Sequence, residues 1–292
     1  MEIGTVDALI LNYNDAATTK DCAERLQKYD IIRRVLVVDN YSTDDSYNQL
    51  SELNSDKIET VSTGRNGGYG AGNNYGIRYL REKYASNYIL LCNPDTIIEE
   101  ETIDAMESFL KSHLDYAIVA PFMLNPKGEK QYITAFRIPK INEYIASFGI
   151  ITNKLQKSFS YPDILSVNSE FVDVGAVSGA LFMMDAKKMV RYGMYDESIF
   201  LYCEELSLGI KLAKSGLKTA LLPQRTFIHY HSVSINKALK STVKKHQLLM
   251  KSKLYVIKKI YKANMFQNGI AFILSRLSIA EVWLLSVLRG RR

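Results

Sequence analysis

Short apolar runs alternate with amphipathic stretches through the first half of the chain. Val6–Leu11, Val35–Val38, Ile58–Val61 and Tyr88–Cys92 are nearly continuous in apolar residues, as expected of strands buried on both faces of a parallel sheet. Helical patterns separate them, which predicts an α/β fold with a mostly parallel central sheet flanked by helices. Three of these runs end in polar residues, Asn12-Tyr13-Asn14, Asp39-Asn40 and Asn93-Pro94-Asp95, and ligands of open α/β sheets gather at those ends. Ser42 with Asp45 three positions on has capping-box spacing and predicts that the next helix begins there. The segment Gly64–Gly76, GRNGGYGAGNNYG, is too rich in glycine for a strand and leads into a helical pattern at Ile77–Tyr84. Its glycines permit close approach of backbone to a ligand. Periodicity is poor from Pro121 to about Glu170, which predicts long loops with short elements. It returns in the strand-like Phe171–Met184 and in a helical pattern at Glu204–Lys214 that Gly216 would end.

Composition narrows the class. With 292 residues, 47% of them apolar, the chain can bury a large core and carry an appendage. Cys22, Cys92 and Cys203 form no C-x-x-C pair, which fits a reducing cytoplasm better than a disulfide framework or a zinc site. MEIGTVDALIL lacks a basic leader and reads as a first strand. Charge is divided sharply: residues 237–292 hold 13 of the 37 Lys and Arg and a single acid, Glu281, leaving 24 basic and 30 acidic residues before them. A main domain of net negative charge disfavours nucleic acid as a partner, whereas the tail suits anionic lipid headgroups.

Singly, the polar strand ends are weak signals, since an Asp there caps or turns the chain more often than it binds a ligand. No G-x-G-x-x-G occurs, so a dinucleotide-binding oxidoreductase loses its main support. The ordered set is more specific. ILNYN (Ile10–Asn14), VVDNYSTDDS (Val37–Ser46), NGGYGAGNNYG (Asn66–Gly76), NPDT (Asn93–Thr96), SGALFM (Ser178–Met183), YDESIFLYCEELSLGIKLAKSG (Tyr195–Gly216) and HYHSVS (His229–Ser234) together resemble family 2 of the glycosyltransferases, inverting enzymes of the GT-A fold. The likeness spans roughly residues 5–234 and is greatest to the branch with bacterial rhamnosyltransferases of cell-wall and capsule assembly. It implies a GT-A catalytic domain over 1–235, with a nucleotide-binding half at about 1–120 and an acceptor-binding half at about 121–235. Residues 236–292 follow as a C-terminal helical appendage.

The resemblance also implies roles. Asp39 would accept hydrogen bonds from the base of a nucleotide-diphospho-sugar donor, with Asn12 and Tyr13 flanking it and Asn66, Gly68 and Asn73 on the ribose and diphosphate side. Asp95 closes a motif like the family's Asp-x-Asp, in which Asn93 stands for the first Asp. With His229 it would hold Mg2+ or Mn2+ as counter-charge to the diphosphate. A carboxylate should take the proton from the attacking acceptor hydroxyl. Glu205 matches the second member of the family's acidic pair, and Glu204 would orient a partner or cap the helix. On residue chemistry alone, two acids in a first helical turn are as well explained by the helix dipole. Ser178, Gly179 and Ala180 would floor the reacting sugar, and Asp196 would contact a glycan or lipid-linked acceptor.

The tail is open to several readings. Lys244, Lys245, Lys251, Lys253, Lys258, Lys259 and Lys262 suit the solvated face of helices or a membrane surface. Ile270–Leu288 is apolar almost all round but interrupted by Arg276 and Glu281, which argues against an ordinary spanning helix. It needs cover from the main domain, from a second subunit in a homodimer, or from lipid on the inner face of the cell membrane. Two rival functions remain: a sugar nucleotidyltransferase, although Asn12-Tyr13-Asn14-Asp15 is neither basic nor glycine-rich, and a non-catalytic nucleotide-sugar-binding protein.

Overall fold

The computed structural model describes residues 4–149, 159–230 and 241–289. The chain begins β1 (Val6–Asn12), α1 (Ala16–Leu26), β2 (Ile32–Asp39), α2 (Ser46–Ser51), β3 (Ile58–Ser62), α3 (Tyr69–Tyr84) and β4 (Tyr88–Cys92). These strands pair in parallel in the order β3-β2-β1-β4, as the apolar runs predict. Next come β5 (Thr96–Ile98), α4 (Glu100–Ser112), β6 (Tyr116–Leu124), β7 (Ala135–Phe136) and α5 (Ile141–Ala146). Then follow β8 (Val172–Val174), β9 (Ala176–Val177), β10 (Leu181–Asp185), α6 (Ala186–Tyr192), α7 (Glu204–Lys214) and β11 (Lys218–His229). The sheet continues β4-β10-β6-β11-β5, and β10 runs antiparallel to both neighbours. The parallel portion is therefore the first half of the sheet, and the second half is mixed.

Side chains of the central strands alternate between two cores. Val6, Ala8 and Ile10 of β1, with Val35 and Val37 of β2, meet α1 and α4 through Cys22, Leu26, Ile103 and Met106. Leu9, Leu36 and Val38 meet α3, α6 and α7 on the other face through Ile77, Leu80, Met189 and Leu208. Each such side chain, fully buried, contributes roughly 1.5–3 kcal/mol. Asp7 is also buried in β1, held by the Arg33 guanidinium and the Ser86 hydroxyl.

Two helix starts differ from expectation. Helix α2 begins at Ser46 with Asp45 at its N-cap, because Ser42 spends its hydroxyl and amide on Asp39 instead. Helix α3 begins at Tyr69, eight residues before the predicted pattern and inside the glycine segment. The reason is packing: a Cβ on Gly72 would stand 2.5 Å from Leu11 Cδ1, and one on Gly76 would stand 2.3 Å from Leu9 Cδ1. Only a helix with glycine at these positions can lie this close to β1. Strand β6 likewise carries regular structure through Pro121, where loops were expected.

The last elements are α8 (Thr242–Tyr255), a π-helical turn over Val256–Ile260, and α9 (Met265–Arg289). They form a third core with α5 and α7, in which Tyr144, Phe148, Ile210, Met250, Ile257 and Ala271 are buried together. Ser252 Oγ donates to Leu201 O at 2.7 Å. Along α9 the outer face is bare: Phe272, Ile273, Leu277, Trp283 and Leu288 are each more than half exposed. By length and composition Met265–Leu288 is sufficient to cross a membrane, and 17% of its most apolar window is buried.

Candidate active site

Parallel register sets Asn12 opposite Asp39 at the ends of β1 and β2. Asn12 Nδ2 donates to Asp39 Oδ1 at 2.8 Å, and the Ser42 amide donates to Oδ2 at 2.9 Å. Asn40, next in the chain, donates to Gly68 O at 3.1 Å and to Asn66 Oδ1 at 3.2 Å, fastening the glycine segment to the same rim. Gly68 has φ +91°, and a Cβ there would fall 2.1 Å from Phe200 O. That close approach brings the loop before α7 against the glycine segment.

On the other side, the Asn93 amide donates to Ala180 O at 2.7 Å, so the turn after β4 meets the start of β10. Antiparallel pairing of β5 with β11 aligns His229 with Thr96. This sets His229 beside Asp95, with Nε2 3.2 Å from Oδ1. The Tyr230 amide donates to Asp95 O at 3.0 Å and fixes the turn.

Helix α7 supplies the acids. Tyr202 and Cys203 both take left-handed backbone conformations, φ +72°, and turn the chain sharply so that the first helical residues face inward. The Gly179 amide donates to Glu205 Oε1 at 3.2 Å, and Tyr69 Oη donates to Gly179 O at 2.6 Å. Burial, then the charge of Glu205, pushes the Glu204 carboxyl up to about 8. Burial raises Glu205 as well, against the amide of Gly179, which favours its ionised form. Glu204 Oε1 has no hydrogen-bond partner among the described residues. The Gly179 amide favours the ionised form of Glu205, burial and the charge of Glu205 favour the protonated form of Glu204, and the two carboxyls titrate together.

These elements enclose one cavity of about 1230 Å³. Asn12, Tyr13, Asn66 and Gly68 line one part of it, and Asn93, Asp95 and His229 another. Ser178, Gly179, Ala180, Glu204 and Glu205 line it between them. Three predicted site residues stand outside the lining. Asp39, 1% exposed, lies behind Asn12 and Asn40 and acts on the wall through them. Asn73 is buried in α3 beside Tyr69. Asp196, expected at the acceptor, receives the Tyr255 hydroxyl at 3.1 Å on both oxygens and so ties α8 to the loop before α7. His231 and the rest of HYHSVS after Tyr230 lie outside the described residues.

The lining also holds residues that sequence patterns did not single out. Tyr69 was hidden among glycines, and Tyr132, Phe136, Arg137 and Tyr144 sit in the aperiodic region. Lys253 is a correction: expected on a solvated face, it is 2% exposed and lines the cavity.

No group of three or more His, Cys, Asp and Glu among the described residues could hold a metal alone. Asp95 and His229 nevertheless offer a carboxylate and an imidazole together at the cavity wall. That donor pair fits a divalent ion whose other ligands are diphosphate oxygens and water, the usual sharing for hard ions.

Residues 7–171 match the family model of glycosyl transferase family 2. Rhamnosyltransferase WbbL of Escherichia coli is 27% identical over 169 residues, which cover 56% of this chain and 61% of that protein. The N-acetylglucosaminyl-diphospho-decaprenol L-rhamnosyltransferase of Mycobacterium tuberculosis is 25% identical over 209 residues, 68% of this chain and 67% of its own. The chain thus spans about three fifths of the length of the first of these relatives and two thirds of the second. The mannosyltransferase PcManGT of Pyrobaculum calidifontis, solved with GDP-Man and Mn2+, superimposes with a TM-score of 0.56 at 14% identity, covering 98% of this chain and 73% of that one. At that identity the likeness bears on the fold alone, a mixed sheet between helix layers. By its matched sequence and its architecture, the chain belongs to glycosyl transferase family 2 and has the GT-A fold.

Proposed function

We propose that the protein is an inverting glycosyltransferase that moves a sugar from a nucleotide diphosphate donor to a hydroxyl of a cell-surface glycan or a lipid-linked acceptor. One observation carries this: the Glu204–Glu205 pair and the Asp95–His229 pair face a single cavity whose remaining wall is the amide-rich rim at Asn12, Asn66 and Gly68. Asn12, with Asp39 behind it, would hold the base of the nucleotide, and Asn66 and Gly68 the ribose side. Glu205 takes the proton from the acceptor hydroxyl as its oxygen bonds to the anomeric carbon and the bond to the diphosphate breaks. The Gly179 amide holds Glu205 in place, and protonated Glu204 spares it a neighbouring negative charge. A divalent ion at Asp95 and His229, Mg2+ or Mn2+, would supply positive charge opposite the leaving diphosphate.

The names of the relatives support rhamnose as the sugar, for which dTDP-rhamnose is the first donor candidate and a UDP-sugar the second, and the mycobacterial relative supports a lipid-linked acceptor. The basic, apolar tail supports a site of action on the cytoplasmic face of the membrane. Thermal-shift screening of nucleotide sugars with and without Mn2+, followed by turnover of the best ligand, tests the assignment. Release of nucleoside diphosphate with inversion is the expected result. Release of pyrophosphate would mean a nucleotidyltransferase, and tight donor binding without turnover on any acceptor a binding protein.

A further inference from the structure

Lys253 is a buried cation in the wall of the cavity, contributed by the tail helix α8. Its ammonium donates to Ser147 O at 2.9 Å and to Ser147 Oγ at 3.2 Å, and stands 5.2 Å from the Phe148 ring centroid and 5.7 Å from that of Tyr144. An ammonium has three donors, and no carboxylate among the described residues forms an ion pair with it. Burial pushes its pKa down to about 8, since the charge is poorly compensated there. Holding a lysine in that state is costly unless an anion arrives.

The surroundings indicate which anion. Tyr144 stands against Lys253, and the cavity lining also holds the apolar and aromatic side chains of Phe136, Phe159, Tyr161 and Leu249, together with Arg137. A single small-molecule site occupies about 300–1,000 Å³, so a cavity of about 1230 Å³ has room beyond the donor. Cys203, whose thiol feels the charge of Lys253, is the residue immediately before Glu204. An anion at Lys253 thus lies near the acids that face the reacting hydroxyl. Helix α8 also packs against α9, whose outer face is bare and apolar.

Building on the proposed transferase function, we propose that Lys253 binds the phosphate of a lipid-diphosphate-linked acceptor, with the aromatic wall taking the first part of its apolar chain. The tail is then part of the acceptor site as well as a membrane contact.

Calorimetry on the full chain, saturated with dTDP or UDP, whichever the thermal-shift screen selects, to fill the donor side, tests this with geranyl diphosphate and inorganic diphosphate as probes. Wild type is expected to bind geranyl diphosphate at least tenfold more tightly than inorganic diphosphate. Lys253→Met, which keeps an unbranched side chain one atom shorter and without charge, should lose at least tenfold in affinity for geranyl diphosphate, and Lys253→Arg should retain most of it. Wild type that binds neither probe overturns the proposal whatever the variants do, and equal binding of the two overturns the lipid chain. A folded Lys253→Met with undiminished affinity overturns the role of Lys253. None of these outcomes depends on turnover, so a failure here leaves donor hydrolysis and transfer to a neutral alkyl glycoside as separate measures of the transferase function.

Discussion

The amide of Gly179 lies 3.2 Å from Oε1 of Glu205, 26 positions away in sequence. One residue of the cavity lining therefore orients the carboxylate proposed as the base. A Cβ on Gly179 would stand 2.8 Å from that same oxygen. Gly179→Ala should displace Glu205 and lower kcat by roughly 10–100-fold, the scale of a misplacement near 1 Å. Donor affinity, measured by calorimetry, should change little, because Asn12, Asn66 and Asp95 are untouched.

Glu205→Gln removes the proposed base while keeping its shape. Transfer should fall by about 10²–10⁴, with nucleotide-sugar binding nearly intact by thermal shift. Turnover close to wild type would take Glu205 out of the role and direct attention to Glu204.

The acid pair also sets a pH dependence of stability. Glu204 is raised from an ordinary 4.5 to about 8 in the folded protein, so between those values the native state holds a proton that the unfolded chain has lost. Unfolding then releases a proton, and stability falls as pH rises. The contribution is complete below about 4.5 and is lost as pH passes about 8. Glu204→Gln should flatten this decline, making the variant relatively more stable at pH 8.5 by on the order of 1–2 kcal/mol, with the shared proton keeping the figure below full linkage. Urea denaturation at pH 5.5 and 8.5 measures it. Transfer by wild type should increase with pH as Glu205, raised by burial, ionises, since a base acts only when ionised.

Asp95→Ala leaves His229 as the single protein ligand proposed for the ion. Donor affinity in the presence of Mn2+ should drop at least tenfold, about 1.4 kcal/mol, while affinity without metal changes less. Equal losses with and without Mn2+, read by calorimetry, would count against the metal site.

Trp283 is the one tryptophan in the chain and lies exposed on α9. If α9 enters a bilayer, vesicles containing anionic lipid should shift its fluorescence to the blue. Neutral vesicles should do so less, and high salt should weaken the effect by screening the lysines. An unchanged spectrum at all lipid compositions would assign the bare face to protein.

Much of the parallel half of the fold was legible because buried strands announce themselves as apolar runs, and Val6–Leu11 and Tyr88–Cys92 match β1 and β4 within a residue. Helix α7 was legible down to its ends, since Glu204 opens it and Gly216, at φ +75°, follows its close. The start of α3 was hidden because glycine propensity opposes a helix, and its close packing on Leu9 and Leu11 overrides propensity. Antiparallel β10 was hidden for another reason: an apolar strand carries no mark of its direction.

The sequence by itself determined which carboxylates, imidazoles and glycines are available for chemistry and in what order they recur. Tertiary structure decided what those residues face. Long-range pairing of β5 with β11 brought His229 to Asp95, left-handed turns at Tyr202 and Cys203 aimed Glu204 and Glu205 inward, and docking of α8 buried Lys253 in the cavity while Asp196 became its anchor. Apart from those turns, such contacts join positions tens to more than a hundred residues apart. They depend on register, packing and burial, which no local pattern of polar and apolar residues encodes.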